Sequence, residues 1–120
     1  MVFTALDLDF SVCKIRDLSG VDFTRDFVFL SKTDEEVSLV CETGCVPENA
    51  VAAEPGWRAF RIEGVLDFGL IGVIARITDV LARADISVFV VSTYNTDYIF
   101  LKSHDFEKGL ILLKTGVEFL

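Results

Sequence analysis

Two stretches of this 120-residue chain combine residue types able to hold a small charged molecule. The first is Asp67-Phe68-Gly69-Leu70-Ile71-Gly72, where a strand-like run gives way to helical spacing. The first N–H groups of a helix have no intrahelical partner and sit at the positive end of its dipole. Gly69 and Gly72 remove side chains, so a ligand carboxylate can approach the backbone N–H groups of Gly69, Leu70 and Ile71. Asp67 then attracts an ammonium group. The competing role is structural: Asp67 caps the helix, and the glycines serve the turn and close packing. The second stretch is Ser92-Thr93-Tyr94-Asn95-Thr96-Asp97, which offers short hydroxyls, an amide and a carboxylate. Thr93, Asn95, Thr96 and Asp97 suit a ligand that carries both ammonium and carboxylate, yet they are also ordinary hairpin-turn residues. Tyr94 and Tyr98 either cover a pocket or pack in a core or interface.

Other chemistries have less to stand on. The sequence shows no nucleophile beside a base, no phosphate-binding loop and no zinc signature, so no catalytic residue and no cofactor are expected. Asp67 and Asp97 are the one pair with acid–base potential, and nothing in their surroundings marks them for it. The only histidine, His104, stands next to Asp105, where a solvated or capping role fits. Cys13, Cys41 and Cys45 are an odd number of cysteines, which reads as reduced thiols. Cys13 and Cys41 lie in strand-like runs as small core side chains. Cys41 and Cys45 lack further ligands at metal-site spacing, so no metal is expected.

Net charge is −8, from 19 acidic and 11 scattered basic residues, which argues against nucleic acid as a partner. No apolar run approaches the roughly 18 residues of a membrane span. The start of the chain lacks the basic and apolar regions of a secretory signal, so a cytoplasmic location is expected.

Strands and helices must position these residues. Phe10–Ile15 alternates as a half-buried strand. Phe27–Leu30 is β-prone, and residues 32–36 form a polar turn before a strand over Val37–Cys41. Residues 16–25 and 44–50 leave room for a helical turn at most. Around Pro55–Gly56 the character changes. Trp57–Glu63 reads as a strand, with Trp57 as a core anchor and Arg58 and Arg61 on a solvated face. Leu70, Val73, Ile74, Ile77, Leu81 and Ala84 fall on one helical face and end at Asp85. Ile86–Val91, apolar on both faces, reads as a central strand, and Tyr98–Lys102 as its partner. Phe106, Leu110 and Leu113 mark a second helix, and Val117–Leu120 an edge strand.

The second half thus runs β-α-β-β-α-β, the ferredoxin-like order of an α+β fold. The first half repeats the strand order with its helices reduced to single turns. We read residues 1–55 as a degenerate, strand-rich unit and residues 56–120 as the complete one, without a residue-level repeat between them.

The run Val65–Val73, with Ile86–Phe89 and Ser92–Ile99, resembles ACT domains, in particular small stand-alone ACT proteins related to aspartate kinase regulatory domains and to animal cytosolic arginine sensors. The resemblance covers residues 57–120 and extends more loosely over residues 5–54. It implies a βαββαβ sheet with helices on one face and side-by-side pairing of units, most simply as a homodimer. It also implies a small amino-acid-like ligand at the seam, with regulatory output through a partner enzyme or signalling protein. The alternative it leaves open is an assembly module that binds no ligand.

Overall fold

The computed structural model describes residues 2–63 and 72–116. The chain divides into two units. One runs from Leu8 to Trp57, and the other combines the stretch through Asp7 with the chain from Arg58 onward.

In the Leu8–Trp57 unit, β2 (Phe10–Ile15), β3 (Phe29–Lys32), β4 (Val37–Glu42) and the first part of β5 (Ala50–Ile62) form an antiparallel sheet in the order β3-β4-β2-β5. Cys13, Ile15, Leu39 and Cys41 are buried on one face, against Leu30 of β3 and Val21, Val28, Cys45 and Val46 from the connecting segments. Helices are absent from these connections for a local reason. The Asp17 carboxylate accepts the Ser19 N–H at 2.9 Å, and the Asp22 carboxylate accepts the Thr24 N–H at 3.0 Å. Such turns offer the backbone an alternative to a helix. Phe27 adopts a left-handed conformation at φ +59°, so the β-prone run becomes a strand only at Phe29.

The expected junction at Pro55–Gly56 lies inside β5 instead. Phe10 pairs with Trp57, but Val12 pairs with Glu54, so β5 carries one residue more than β2 across this interval. Proline has no N–H to donate, and Gly56 sits at φ +89°, a conformation that side chains disfavour. The two residues therefore make a bulge rather than a linker.

In the other unit, β1 (Phe3–Ala5) pairs antiparallel with the end of β5, Phe3 opposite Ile62. The order is β1-β5-β7-β6, with β6 spanning Val88–Ser92 and β7 Asp97–Lys102. Two findings correct the sequence reading. The run Ile86–Val91 is not central: β6 ends the strand order, and Val88–Val91 are only half-buried. The neighbour of β5 opposite β7 is β1, from the beginning of the chain. The strand expected at Val117–Leu120 lies outside the described residues.

Helices α1 (Val73–Arg83) and α2 (Phe106–Gly116) bury one stripe each, Val73, Ile77 and Leu81 from α1 and Phe106, Leu110 and Leu113 from α2. These join Phe60, Ile62, Ile99 and Leu101 of the sheet in one core. Gly109 permits the close approach of α2, because a Cβ there would stand 2.6 Å from Leu101 Cδ1 and 3.3 Å from Leu81 Cδ2. At the end of α1 the N–H of Asp85 donates to Ala82 and that of Ile86 to Leu81, at 3.1 and 3.0 Å. This is the double bond of a Schellman cap, with Asp85 left-handed at φ +58° in the place glycine usually holds.

The two units share a residue-level repeat that is hard to see in the sequence. Adding 60 to each residue number carries β4 onto β7, with the same burial pattern along both strands, and the 3₁₀ turn Thr43–Cys45 onto Ser103–Asp105. The turn before each strand is bonded alike: the Thr33 N–H donates to Glu36 O at 2.9 Å, and the Thr93 N–H to Thr96 O at 2.8 Å. In both turns the threonine hydroxyl also accepts the N–H three residues on.

Candidate functional site

The four described site residues, Thr93, Asn95, Thr96 and Asp97, lie together on the turn between β6 and β7. The Thr93 hydroxyl donates to Thr96 O at 3.0 Å, and the Thr96 hydroxyl donates to Ile62 O at 2.8 Å. The Ser92 hydroxyl donates to Asp97 Oδ1. All three hydroxyl protons are therefore committed, two within the hairpin and one to β5. Asn95 is exposed, the ring of Tyr94 fully so, and Asp97 is half-buried.

The Thr96–Ile62 bond fixes the turn against the last residue of β5, just before the chain enters residues 64–71. Asp67, Gly69, Leu70 and Ile71 lie in that stretch, outside the described residues. Gly72 is described, and it occupies the N-cap of α1 at φ +83° with open space around its Cα. The N-cap of α1 is thus a glycine. A glycine N-cap supplies no side-chain acceptor for the orphan N–H groups of the first turn.

Arg61 and Glu63 form an ion pair at the end of β5. Arg61 Nε donates to Glu63 Oε1 at 3.0 Å, and Arg61 Nη1 to the Tyr98 hydroxyl at 3.5 Å. A hydrogen bond from Thr4, and then the Arg61 guanidinium, hold the Glu63 carboxyl below its usual range. Alternation of Arg61 with apolar residues in β5 is the available signal, but its side-chain partners are Glu63, just past β5, and Tyr98 of β7. Arg58 also departs from a solvated role: its guanidinium lies 4.1 Å from the centre of the Phe106 ring and pairs with Glu107 at 3.5 Å. Trp57 is buried, as expected of a core anchor, and His104 is exposed beside Asp105.

Cys13 and Cys41 are each 2% exposed and belong to the same buried cluster. Burial pushes the Cys41 thiol up to about 12 and raises that of Cys13, so both are protonated at neutral pH. Cys45 is half-buried at the margin of the same cluster. No group of three or more metal-ligating side chains occurs among the described residues. No described helix is long and apolar enough to cross a membrane.

Comparison with known proteins agrees with this architecture. The X-ray structure of a protein from Agobacterium tumefaciens is 27% identical over 95% of this chain and 87% of its own, with a TM-score of 0.84. A Vibrio cholerae protein of unknown function, described as a possible transport protein, is 18% identical with a TM-score of 0.76, covering 97% of this chain and 89% of its own. The ligand-free regulatory subunit of aspartate kinase from Thermus thermophilus is 9% identical with a TM-score of 0.68, covering 97% of both chains. At such identities the last two show the fold alone. No protein with curated function matches the sequence. The family model of the ACT domain matches residues 52–115. That match spans more than half of the sequence, and the chain belongs to the ACT domain family.

Proposed function

We propose that this chain is a regulatory domain that binds a small amino-acid-like molecule and carries out no reaction itself. The observation that carries the reading is the Thr96–Ile62 hydrogen bond, which anchors the polar turn where β5 ends. We assign the Asp97 carboxylate, and on their residue types in the sequence the backbone N–H groups of Gly69, Leu70 and Ile71, to one ligand. In this division of labour Asp97 and Asp67 attract an ammonium, while the N–H groups before α1 receive a carboxylate. Family membership and likeness to an aspartate kinase regulatory subunit support a regulatory role. The ligand acts by stabilising one arrangement of the protein that a partner enzyme or signalling protein reads. We place the protein in the cytoplasm as a homodimer, since pairing covers exposed sheet edges.

One observation favours a second reading, an assembly module without ligand. The hydroxyls of Ser92, Thr93 and Thr96 all donate within the fold, so the turn is satisfied by itself. Calorimetric titration of the twenty amino acids separates the two. A single selective ligand whose affinity falls at least about tenfold in Asp97→Ala, a loss of about 1.4 kcal/mol, supports sensing at this site. A stable dimer that binds none of them supports assembly.

A further inference from the structure

Three turns of the Leu8–Trp57 unit meet around a cavity of about 490 Å³, whose lining includes Ser19, Cys45, Val46, Pro47, Glu48 and Asn49. Two are β-turns, closed by the Val21 N–H on Leu18 O and the Ala50 N–H on Pro47 O, each at 3.1 Å, and the third is the 3₁₀ turn Thr43–Cys45. Asn49 ties the two β-turns together. Its Nδ2 donates to Asp17 Oδ1 at 3.0 Å and to Asp17 O at 3.4 Å. The bond to a carboxylate fixes the amide, since the reversed orientation would set oxygen against oxygen. Asn49 Oδ1 is then buried without a hydrogen-bond partner, the one such side-chain atom among the described residues. A buried acceptor left without a donor is costly, and a donor bound there relieves that cost. Gly20 and Pro47 close one side of this oxygen: a Cβ on Gly20 would stand 3.3 Å from it and 2.9 Å from Pro47 Cβ. A donor therefore has to come from the cavity that Asn49 lines.

The other oxygens of the lining side chains are acceptors too. Ser19 Oγ gives its proton to Asp17 Oδ1 at 2.5 Å and keeps only lone pairs to offer, and Glu48 adds an exposed carboxylate. The lining includes no lysine or arginine to receive a ligand carboxylate, whereas Val46 and the buried Pro47 supply apolar surface. This set calls for a positive group with several N–H donors. We propose that the cavity binds a protonated primary aliphatic amine. Its ammonium donates to Asn49 Oδ1 and Ser19 Oγ and pairs with Glu48, and its alkyl chain lies along Val46 and Pro47. The volume falls within the roughly 300–1,000 Å³ of small-molecule sites. The site lies outside the β6–β7 hairpin and does not rest on the reading of that turn.

The test is a ¹⁵N NMR titration of the whole chain with 1,4-diaminobutane at constant pH and ionic strength. Tetramethylammonium, which has charge without N–H donors, and 1,4-butanediol, which has donors without charge, serve as controls. The amides of Ser19, Gly20, Cys45, Glu48 and Asn49 are expected to shift together and saturate with the diamine, and each control binds at least about tenfold more weakly. Cys45 lines the same cavity, so saturating diamine is expected to slow its alkylation by iodoacetamide at least about fivefold. Asn49→Ala weakens binding at least about tenfold. Glu48→Gln, at an exposed side chain, weakens it about two- to fivefold and keeps the test open should the first variant not fold. Unmoved amides around this cavity at about 100 mM diamine, about a hundredfold above a millimolar Kd, overturn the proposal. So does tetramethylammonium binding as tightly as the diamine, or an unchanged affinity in Glu48→Gln. Shifts confined to Ser92–Asp97 put the amine on the hairpin and overturn it as well.

Discussion

Single side chains define what each site offers. In the β6–β7 turn the hydroxyls are donors already in use, so the proposed site rests on the Asp97 carboxylate. The residue types were legible in the sequence, but their direction was not. Whether a threonine faces a ligand or its own turn depends on Ile62, thirty-four residues earlier in the chain. The cysteines illustrate the same point. Strand alternation identified Cys13 and Cys41 as core residues, and the structure adds that they share one buried cluster. Their raised pKa has a direct consequence. The unfolded chain ionises near the ordinary thiol value of 9.0, before the folded one does, so the stabilising contribution is complete below that value. It is lost as pH rises toward about 12, and denaturant midpoints are expected to fall across this window more steeply in the wild type than in a Cys13→Ala, Cys41→Ala double variant. Equal slopes would contradict the assignment. In native protein at neutral pH a thiol reagent is expected to modify Cys45 first, and Cys13 and Cys41 only after unfolding. Simultaneous labelling of all three would show that the cluster is open.

Elements hold those residues through a few positions with specific backbone or steric demands. Asp85 closes α1 in a left-handed conformation that glycine adopts at lower cost. Asp85→Gly is therefore expected to raise stability by about 0.5–1 kcal/mol, read as a higher midpoint of chemical denaturation. A lower midpoint would mean that the Asp85 side chain contributes more than its strain costs. Gly109 predicts the opposite sign. Gly109→Ala places a methyl against Leu101 and Leu81, and is expected to cost about 1–3 kcal/mol by overpacking despite alanine's better helix propensity. Periodicity announced both helices and both hairpins. The change of character at Pro55–Gly56 coincides with a bulge inside β5, beside the boundary between the units at Trp57 and Arg58. Periodicity failed at β6, where an apolar run looked central although it ends the strand order. Sequence also hid the sixty-residue repeat. The two turns share hydrogen bonds and burial, while few of their side chains are the same.

At the scale of the molecule, family membership and fold point to regulation, and the charge of −8 favours ligands that bring a cationic group. The Leu8–Trp57 unit keeps the strand order of its neighbour while dispensing with helices, since Asp17 and Asp22 close the chain into short turns. β5 contributes to both units, its residues through Trp57 to one and those from Arg58 to the other. Light scattering at micromolar concentration is expected to give twice the monomer mass, and a monomer would remove the dimer from the account. The most direct test of ligand sensing is a thermal-shift measurement of the wild type and Asp97→Ala across the twenty amino acids. An amino acid at about 100 times its Kd adds roughly 2.7 kcal/mol of stability, a rise of about 10 °C for a domain of this size. The account predicts such a rise for one selective amino acid in the wild type, and its loss in Asp97→Ala with the unliganded midpoint unchanged. A wild type that shifts with none of the twenty would contradict it.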